Sequence, residues 1–412
     1  MRNLHFTKMI VVGGTYDEYC FEPRWEMKFG SGLRACWVLG RLNPDREITF
    51  YSFGDKTTTE FLAIVAEEIN LKPMITSIPK TVQFRYDYPL ADPVVIPRPD
   101  TLNPHSNSIE VMGENILYYG MIEGNAVVSG NKVIYDPQSP SNPLPFSATG
   151  SRAKQLAVVV NIVEAKKIVG IKEADLKAIE DFFFIEEKAE VLVLKMGAKG
   201  ALVKTNTGKE EIIPVYETSS VWPIGSGDVF AASFAHYWIE SEDPIHAARL
   251  ASWNTAVYCN TRNFNFTPFE SNPDIKPFKI FDYPIGQIYL AGPFFTFSER
   301  WLVDQIFKCL QAMNLRVFSP WHHVGLGDAS TVVPLDIKGL NESKLVFAIL
   351  DGLDSGTLFE IGFAIAKGST VIGYVENESS ESIKMLEGTD CIIERDLTTA
   401  IYKSLWALAK NE

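Results

Sequence analysis

The segment LDGLDSGTLFEIGFAIAKG places two carboxylates beside a turn of small residues. Glu360 lies in the helix that this segment predicts, and its neighbours one turn away are small or apolar. A carboxylate on such a face costs free energy unless it is paired or used. Asp354 directly precedes Ser355 and Gly356, where free backbone N–H groups can hold a hydroxyl or phosphate oxygen. Two such carboxylates suit glycosidic chemistry, in which one attacks C1′ and the other handles protons. The alternative is a Glu360 that is capped by a hydroxyl or reaches solvent.

A second turn of small residues opens a predicted helix in VWPIGSGDVFAASFAHYW. Gly225, Ser226 and Gly227 form this turn, and outward backbone N–H groups at such a turn favour an anion. Asp228 follows in the first helical turn. A carboxylate there can accept a hydroxyl proton while the N–H groups stabilise a transferring phosphoryl group. The same residues also suit a glycine-rich turn in which Asp228 only caps the helix, so both interpretations stay open.

The elements that must position these residues alternate along the chain. Short β-rich runs alternate with helical patterns up to about residue 264, which predicts an α/β layer structure with a mainly parallel sheet in a domain 1–266. Residues 267–286 contain four prolines, a density that no helix or central strand tolerates. We expect a linker there, docked through Phe269, Phe278 and Phe281. The α/β alternation then restarts and predicts a small Rossmann-like (flavodoxin-like) domain over residues 287–412.

The composition restricts the partners. The chain has 412 residues and a formal net charge of −13, which disfavours a nucleic-acid polymer as partner. No apolar run approaches the ~18 residues of a membrane span. Five cysteines, an odd number without a CxxC spacing, indicate free thiols in a reducing compartment. These features predict a cytoplasmic protein that binds small molecules and neither nucleic acid nor membrane.

The first half of the chain resembles the ribokinase-like (PfkB) family of carbohydrate and nucleoside kinases. GSGD resembles the family's GAGD signature, and FGSGLRACWVLGRL, VIYDPQSP, NIVE and KMGAKGALV resemble further motifs in the family's order. The resemblance implies that Asp228 is the base for phosphoryl transfer to a sugar or nucleoside hydroxyl. ATP would be the donor, and Mg²⁺ would come with ATP and without a direct protein site. The further implied contacts are Asp17 and Gly30 for the substrate, Asn161 and Glu164 around Mg²⁺ and phosphate, and Gly197 and Gly200 for the nucleotide.

Two departures from this family keep a second interpretation open. Trp222-Pro223 stand where the family has Asp-Thr, and the asparagine of the sugar-site helix is replaced. The first domain is therefore either an active kinase or an inert kinase fold that serves as ligand sensor or oligomerisation scaffold.

The segment from Gln287 to about Leu408 resembles the nucleoside 2-deoxyribosyltransferase family, which includes nucleotide N-glycosidases. The resemblance implies that Glu360 is the nucleophile, that Tyr289 orients it, and that Asp336 contacts the leaving base. Asp354 would lie in the substrate pocket beside Ser355 and Gly356, and no cofactor is implied. Phe294 and Phe295 would line the base pocket, unless they are core aromatics.

The same resemblance bears on substrate and assembly. Members that cleave nucleoside 5′-monophosphates have serine where this chain has Asp354, and a carboxylate there repels a phosphate. We therefore expect unphosphorylated 2′-deoxynucleosides as substrates, while hydrolysis and base transfer both stay open. Residues 383–385 align with an Asn-x-Met motif that a neighbouring subunit contributes, although the asparagine is absent, and a homo-oligomer is expected. His322 and His323 are interpreted as loop residues, and a further set is predicted to be core: Trp301, Ile306, Leu310 and Met313.

Overall fold

The structure is a computed structural model that describes residues 8–102, 108–139, 142–173, 175–278 and 286–410. Its contacts separate two compact units, Met1–Thr218 with Trp222–Pro277 and Ser219–Val221 with Phe278–Glu412. The boundary at residues 277 and 278 falls inside the predicted linker 267–286. Residues 279–285 of that linker, with Phe281, lie outside the described residues. Phe269 packs edge-on against Trp253 in the first unit, with ring centroids 5.8 Å apart.

The first unit is built on a large sheet whose strands are the apolar runs of the sequence. The strands of this unit, in all of its sheets, are β1 Met9–Val12, β2 Asp17–Cys20, β3 Trp25–Lys28, β4 Ile48–Gly54, β5 Leu71–Ser77, β6 Gln83–Tyr86, β7 Val94–Ile96, β8 Ser108–Tyr119, β9 Asn125–Asp136, β10 Arg152–Asn161, β11 Val191–Lys195, β12 Ala201–Thr205, β13 Glu210–Ile213 and β14 Val215–Glu217, with β15 Lys276–Phe278 at the unit boundary. Its helices are α1 Gly30–Leu42, α2 Lys56–Glu68, α3 Ile162–Val169, α4 Leu176–Asp181, α5 Ser226–Ser241 and α6 Pro244–Thr261.

Nine strands form the main sheet in the order β13-β12-β11-β10-β9-β8-β1-β4-β5. All neighbours pair in parallel except β11 with β12 and β12 with β13. A four-stranded sheet, β3-β2-β6-β7, stands apart from it. Successive strand side chains enter opposite cores because the side-chain period of a strand is two. Val159 of β10 belongs to the core that α1, α5 and α6 share, whereas Val158 and Val160 face α3 and α4.

The second unit is a smaller parallel sheet flanked by helices. Its strands are β16 Gln287–Ala291, β17 Arg316–Phe318, β18 Leu345–Ile349, β19 Thr370–Tyr374 and β20 Ile392–Glu394. Its helices are α7 Phe297–Ala312, α8 Pro320–His323, α9 Ala329–Glu342, α10 Ser355–Lys367, α11 Ser380–Glu387 and α12 Leu397–Lys410. The order β17-β16-β18-β19-β20, with every pair parallel, is the flavodoxin-like order that the sequence predicts.

Three further predictions concern core positions, disulfides and membrane-spanning helices. Ile306 and Leu310 are fully buried in α7 as predicted, but the prediction of a core position for Trp301 is wrong, because 41% of its surface is exposed. None of the five cysteines, all within the described residues, forms a disulfide. Among the helices that the structure describes, none is long and apolar enough to cross a membrane.

Candidate active sites

The candidate site of the first unit lies where three neighbouring parallel strands end. Asp136, Asn161 and Lys195 are the last residues of β9, β10 and β11, and the carboxyl ends of parallel strands are where α/β folds bind ligands. The Lys195 ammonium donates to Asp136 Oδ2 over 2.7 Å. Burial raises the pKa of Asp136 to about 7, although the Lys195 charge acts in the opposite direction. Among the described residues, no hydrogen-bond partner reaches the buried Asp136 Oδ1.

Two adjoining cavities open at this edge. The first has a volume of about 200 Å³, and its lining includes Glu18, Gly30, Ser31, Arg34, Gly225 and Asp228. The second has a volume of about 310 Å³, and its lining includes Asp136, Ser139, Asn161, Glu164 and Lys195. Four residues line both cavities: Tyr16, Phe84, Gln138 and Gly227.

The glycine turn positions Asp228 as the sequence predicts, but Asp228 is not a cap. The N-cap residue of α5 is Gly225, whose φ of +75° favours glycine. The two oxygens of Asp228 accept from other elements: Arg34 Nη1 donates to Oδ2 over 2.5 Å, and Gln138 Nε2 donates to Oδ1. Arg34 Nη2 also donates to Glu18 Oε2. Asp228 is therefore part of a buried ion cluster with one guanidinium and two carboxylates.

Sequence reasoning missed Arg34, although its signal was present. Arg34 stands in the α1 motif in which the asparagine of the kinase family is replaced, and only 1% of its surface is exposed. Its guanidinium lies directly against the glycine turn, because a Cβ added to Gly225 would meet Arg34 Cζ at 2.2 Å.

The substrate-side prediction needs a correction by one residue. Asp17, predicted to bind a substrate hydroxyl, forms an ion pair with Lys28 in the small sheet. The next residue, Glu18, faces the cavity and accepts from the Gly30 backbone N–H over 2.9 Å. Neighbouring strand residues point to opposite faces, so an error of one position moves the carboxylate out of the site. Gly30 itself lines the cavity as predicted.

Asn161 and Glu164 reach the second cavity but also have a local structural task. Asn161 Oδ1 accepts from the backbone N–H groups of Val163 and Glu164, and Glu164 Oε2 accepts from the Asn161 N–H. This capping box begins α3. Burial raises the pKa of Glu164, and the Lys195 charge opposes that effect. A ligand role of these two residues remains a prediction.

The remaining residues of the kinase-like motifs have structural roles, in a turn and in the core. Gly197 and Gly200 have φ values of +59° and +87° in the turn after β11. A Cβ at Gly200 would lie 2.0 Å from the Ile213 carbonyl oxygen, so glycine is required there for close packing. Trp222, at the first position of the unusual pair before the turn, is fully buried, with the Arg262 guanidinium 4.4 Å from its ring centroid. A nucleotide contact of the two glycines stays a prediction.

In the second unit, the structure brings the predicted nucleophile and its predicted orienting residue together. Tyr289 of β16 donates its hydroxyl proton to Glu360 Oε1 of α10 over 2.5 Å. Burial raises the pKa of Glu360 to about 7, the Tyr289 hydrogen bond lowers it, and the charges of Asp336 and Asp354 raise it further. Burial and the Glu360 charge raise the pKa of the Tyr289 hydroxyl. All four predicted polar residues are therefore electrostatically coupled.

Asp336 and Asp354 occupy different environments. Burial raises the pKa of Asp336 in α9, and within the described part of the chain its buried Oδ1 has no hydrogen-bond partner. Asp354 is the N-cap residue of α10, and its Oδ2 accepts from Thr357 N–H over 2.8 Å and from the Thr357 hydroxyl over 3.0 Å. Ser355 and Gly356 form the exposed first turn of α10 beside it.

The aromatic residues of this unit separate into two groups. Phe294 stacks on Phe295 with centroids 5.2 Å apart and contacts Trp321 at 5.7 Å. Phe295 is 62% exposed and is therefore not a core residue, whereas Phe294 is partly buried. A role of this pair in a base pocket remains a prediction. His322 stacks on Phe307 at 3.8 Å, and its Nε2 lies 3.0 Å from Asp304 Oδ1. Local packing accounts for the position of this histidine.

Two remaining points concern metals and assembly. Within residues that the structure describes, no cluster of three or more His, Cys, Asp or Glu residues is arranged to hold a metal ion. In the segment that aligns with the inter-subunit motif, Ile383 is buried, whereas Met385 is 82% exposed on α11. Assembly into a homo-oligomer remains an expectation.

Family models match both units. Residues 128–268 match the model described as pfkB family carbohydrate kinase, and residues 288–395 match the model described as nucleoside 2-deoxyribosyltransferase. The first unit is thus an α/β unit that is similar to the pfkB family over residues 128–268. The second is an α/β unit with a flavodoxin-like strand order that is similar to the nucleoside 2-deoxyribosyltransferase family over residues 288–395.

Solved structures resemble part of the chain. Fructokinase from Vibrio cholerae O395, in its fructose-, ADP- and potassium-bound form, is 15% identical, with a TM-score of 0.49 over 63% of this chain and 94% of that one. Aminoimidazole riboside kinase from Salmonella enterica, with aminoimidazole riboside and an ATP analogue, is 16% identical, with a TM-score of 0.46 over 64% of this chain and 97% of that one. No curated protein matches the chain in sequence.

Proposed function

We propose that the C-terminal unit breaks the N-glycosidic bond of a 2′-deoxynucleoside, with Glu360 as the nucleophile. The observation that carries this proposal is the hydrogen bond from Tyr289 to Glu360 Oε1, beside the half-buried Asp336. A single donor on one oxygen orients the carboxylate and leaves Oε2 for attack. The family match of residues 288–395 supports the same chemistry.

The proposed reaction has two steps. In the first, Glu360 attacks C1′, the C1′–N bond breaks, and the bonding electron pair leaves with the base. Asp336 gives the departing base a proton, which its raised pKa favours. In the second, water or another base attacks C1′, the bond from C1′ to Glu360 breaks so that Glu360 leaves as a carboxylate, and Asp336 takes back the proton that the attacking group loses. Water gives hydrolysis and a second base gives transfer.

The predicted pH dependence follows from Glu360. The nucleophile must be ionised, and burial raises its pKa to about 7, so we expect the first step to accelerate as the pH rises through about 7.

Asp354 is proposed to select unphosphorylated substrates. Both hydrogen bonds from Thr357 fall on its Oδ2. The other oxygen can accept from a free sugar hydroxyl, and a charged acceptor makes that bond strong. A 5′-phosphate at the same place meets a like charge, which costs about 1 kcal/mol at 4 Å in water and about 4 kcal/mol at an effective dielectric of 20.

The first test uses the full chain and a panel of deoxynucleosides. Free base is followed by chromatography, with and without a second base, and a Glu360→Ala variant is the matched control. Base release by the wild type that is lost in the variant supports the proposal. Base release at the same rate in both would overturn it.

For the N-terminal unit, we propose ATP-dependent phosphorylation of a sugar or nucleoside hydroxyl, with Asp228 as the base. Support comes from the glycine turn before α5 and from Lys195, whose Nζ would lie 3.4 Å from a Cβ at Gly227. A lysine beside a helix N-terminus suits a phosphate. We assign the substrate-side carboxylate to Glu18, which lines the same cavity.

The donor set also fits Mg²⁺ bound together with ATP. Asp136 and Glu164 line the second cavity, and among the described residues Asp136 Oδ1 has no partner. Mg²⁺ prefers oxygen ligands and is usually held by one or two carboxylates, the nucleotide phosphates and water. When bound, the ion would neutralise charge on the phosphates. ATP turnover against nucleosides and pentoses, compared with Asp228→Asn, tests this second activity, and no turnover with any acceptor would favour the inert ligand-binding alternative.

A further inference from the structure

Asp228 is held by two side chains that a catalytic base does not need. Arg34 of α1 pairs with its Oδ2, and Gln138, which follows β9, donates to its Oδ1. The second contact comes from a residue with φ of +31°, a value that non-glycine residues rarely adopt. Each oxygen of the carboxylate is therefore engaged by a different part of the unit.

The Arg34 contact is the stronger of the two, because both of its partners are ionised and deeply buried. The side chains of Arg34 and Glu18 are 1% and 6% exposed, and that of Asp228 is 10% exposed. Hydrogen bonds in which the donor or the acceptor is ionised are roughly twice as strong as neutral ones, and here both are. A substrate hydroxyl that approaches Asp228 must compete with the guanidinium for the same carboxylate, and a neutral hydroxyl is the weaker of the two donors.

Packing fixes the guanidinium in this position. The guanidinium lies against Gly225, where an added Cβ would be 2.2 Å from Arg34 Nε. Arg34 Cζ lies 5.0 Å from the centroid of the Phe29 ring. Two buried polar atoms in this cavity, Arg34 Nε and Ser31 Oγ, have no hydrogen-bond partner among the described residues. Acceptor and donor groups of a ligand would satisfy them, so the cavity can bind a small polar molecule while Asp228 stays engaged.

We propose that Arg34 is a positioning residue that restrains Asp228, so that the N-terminal unit binds its ligand but transfers phosphate slowly. This inference rests on the proposed phosphoryl transfer by Asp228. It makes a single side chain, and not the loss of the catalytic carboxylate, the cause of slow transfer.

The test removes the guanidinium. Arg34→Asn alone leaves Glu18 and Asp228 buried without a counter-charge, which endangers folding. The paired variant Glu18→Gln with Arg34→Asn removes one charge of each sign, and thermal unfolding of the full chain shows whether it is folded. Because Glu18 is assigned to the substrate side, Glu18→Gln alone is the matched reference. ATP turnover is measured with the nucleoside and pentose panel in the full-length wild type, Glu18→Gln, the paired variant and the paired variant with Asp228→Asn added.

Relative to Glu18→Gln alone, which carries the same change on the substrate side, we expect the paired variant to raise kcat by about tenfold or more, as the loss of a hydrogen bond to a charged group implies, with KM for ATP little changed. Adding Asp228→Asn should remove the gain, which a purely structural role of Arg34 does not predict. A Glu18→Gln variant that turns over ATP at least as fast as the folded paired variant would overturn the role of Arg34 and leave the proposed phosphoryl transfer intact. An absence of turnover in every folded protein, the wild type included, would overturn both.

Discussion

The two candidate sites place a carboxylate in the same way but surround it with different donors. Each has a carboxylate on a helix that starts at a turn of small residues, Asp228 on α5 and Glu360 on α10. Glu360 receives one neutral hydroxyl donor, whereas Asp228 receives a guanidinium and an amide. The comparison teaches that the availability of a carboxylate depends on residues that distant elements bring to it, and not on the turn that carries it.

Removal of the nucleophile should have the largest effect. We expect Glu360→Ala to lower the rate of base release by about 10³-fold or more, because no other group can form the covalent intermediate. Chromatography of the free base measures the loss.

Glu360→Gln is the control for folding in that experiment. A buried carboxyl whose pKa is raised in the folded state loses stability as the pH rises through about 7, since ionisation is then forced on a buried group. The neutral variant escapes this loss and should be at least as stable as the wild type at pH 8. A large destabilisation of Glu360→Gln would mean that the residue is structural.

Loss of the single hydroxyl donor should have an intermediate effect. Tyr289→Phe removes the hydrogen bond that lowers the pKa of Glu360. We expect base release to slow by about 10- to 100-fold at pH 7, the range for a hydrogen bond to a charged group. The acidic limb of the pH–rate profile should also move to higher pH. An unchanged profile would show that the contact in the structure does not orient the nucleophile.

A change of substrate preference should be smaller. Asp354→Ser removes the charge but retains a side chain that caps helices well, so α10 should stay intact. We expect the ratio of kcat/KM for deoxynucleoside to that for its 5′-monophosphate to fall by at least about tenfold. A wild type that already prefers the monophosphate would contradict the role of Asp354.

The smallest expected effect on base release is that of a change in the first unit, which tests whether the two sites act separately. Asp228→Asn should abolish any phosphoryl transfer and leave base release near the wild-type rate, because the contacts of Asp228 in the structure all lie within the first unit. A parallel loss of both activities would show that the sites are coupled or that Asp228 is structural.

Local patterns predicted much of this structure, and non-local contacts account for what was missed. The strand runs, the glycine turn and the position of Glu360 depend on neighbouring residues, so the sequence is sufficient for them. Arg34 contacts Asp228 across 194 positions of sequence, and Gln138 does so across 90. The order of residues in the sequence does not show which distant side chain reaches a site. The choice between Asp17 and Glu18 depends on which face of the strand each side chain occupies, and neighbouring residues alternate between the two faces.

The sequence was also insufficient to predict the burial of the aromatic residues in the second unit. A helical spacing predicted that Trp301 is core, and the choice between core and pocket was left open for Phe294 and Phe295. Trp301 and Phe295 are substantially exposed. Spacing identifies the apolar face of a helix but not where that face extends beyond the neighbouring elements, which depends on the packing of the whole unit.

The central claim is that Glu360 forms a covalent bond to the sugar. The most direct measurement is the mass of the intact protein, quenched during turnover of a 2′-deoxynucleoside, followed by peptide mapping. We expect an added deoxyribosyl group on the peptide that contains Glu360, and none in Glu360→Ala. Release of the base at full rate by Glu360→Ala, with no deoxyribosyl adduct in either protein, would contradict it.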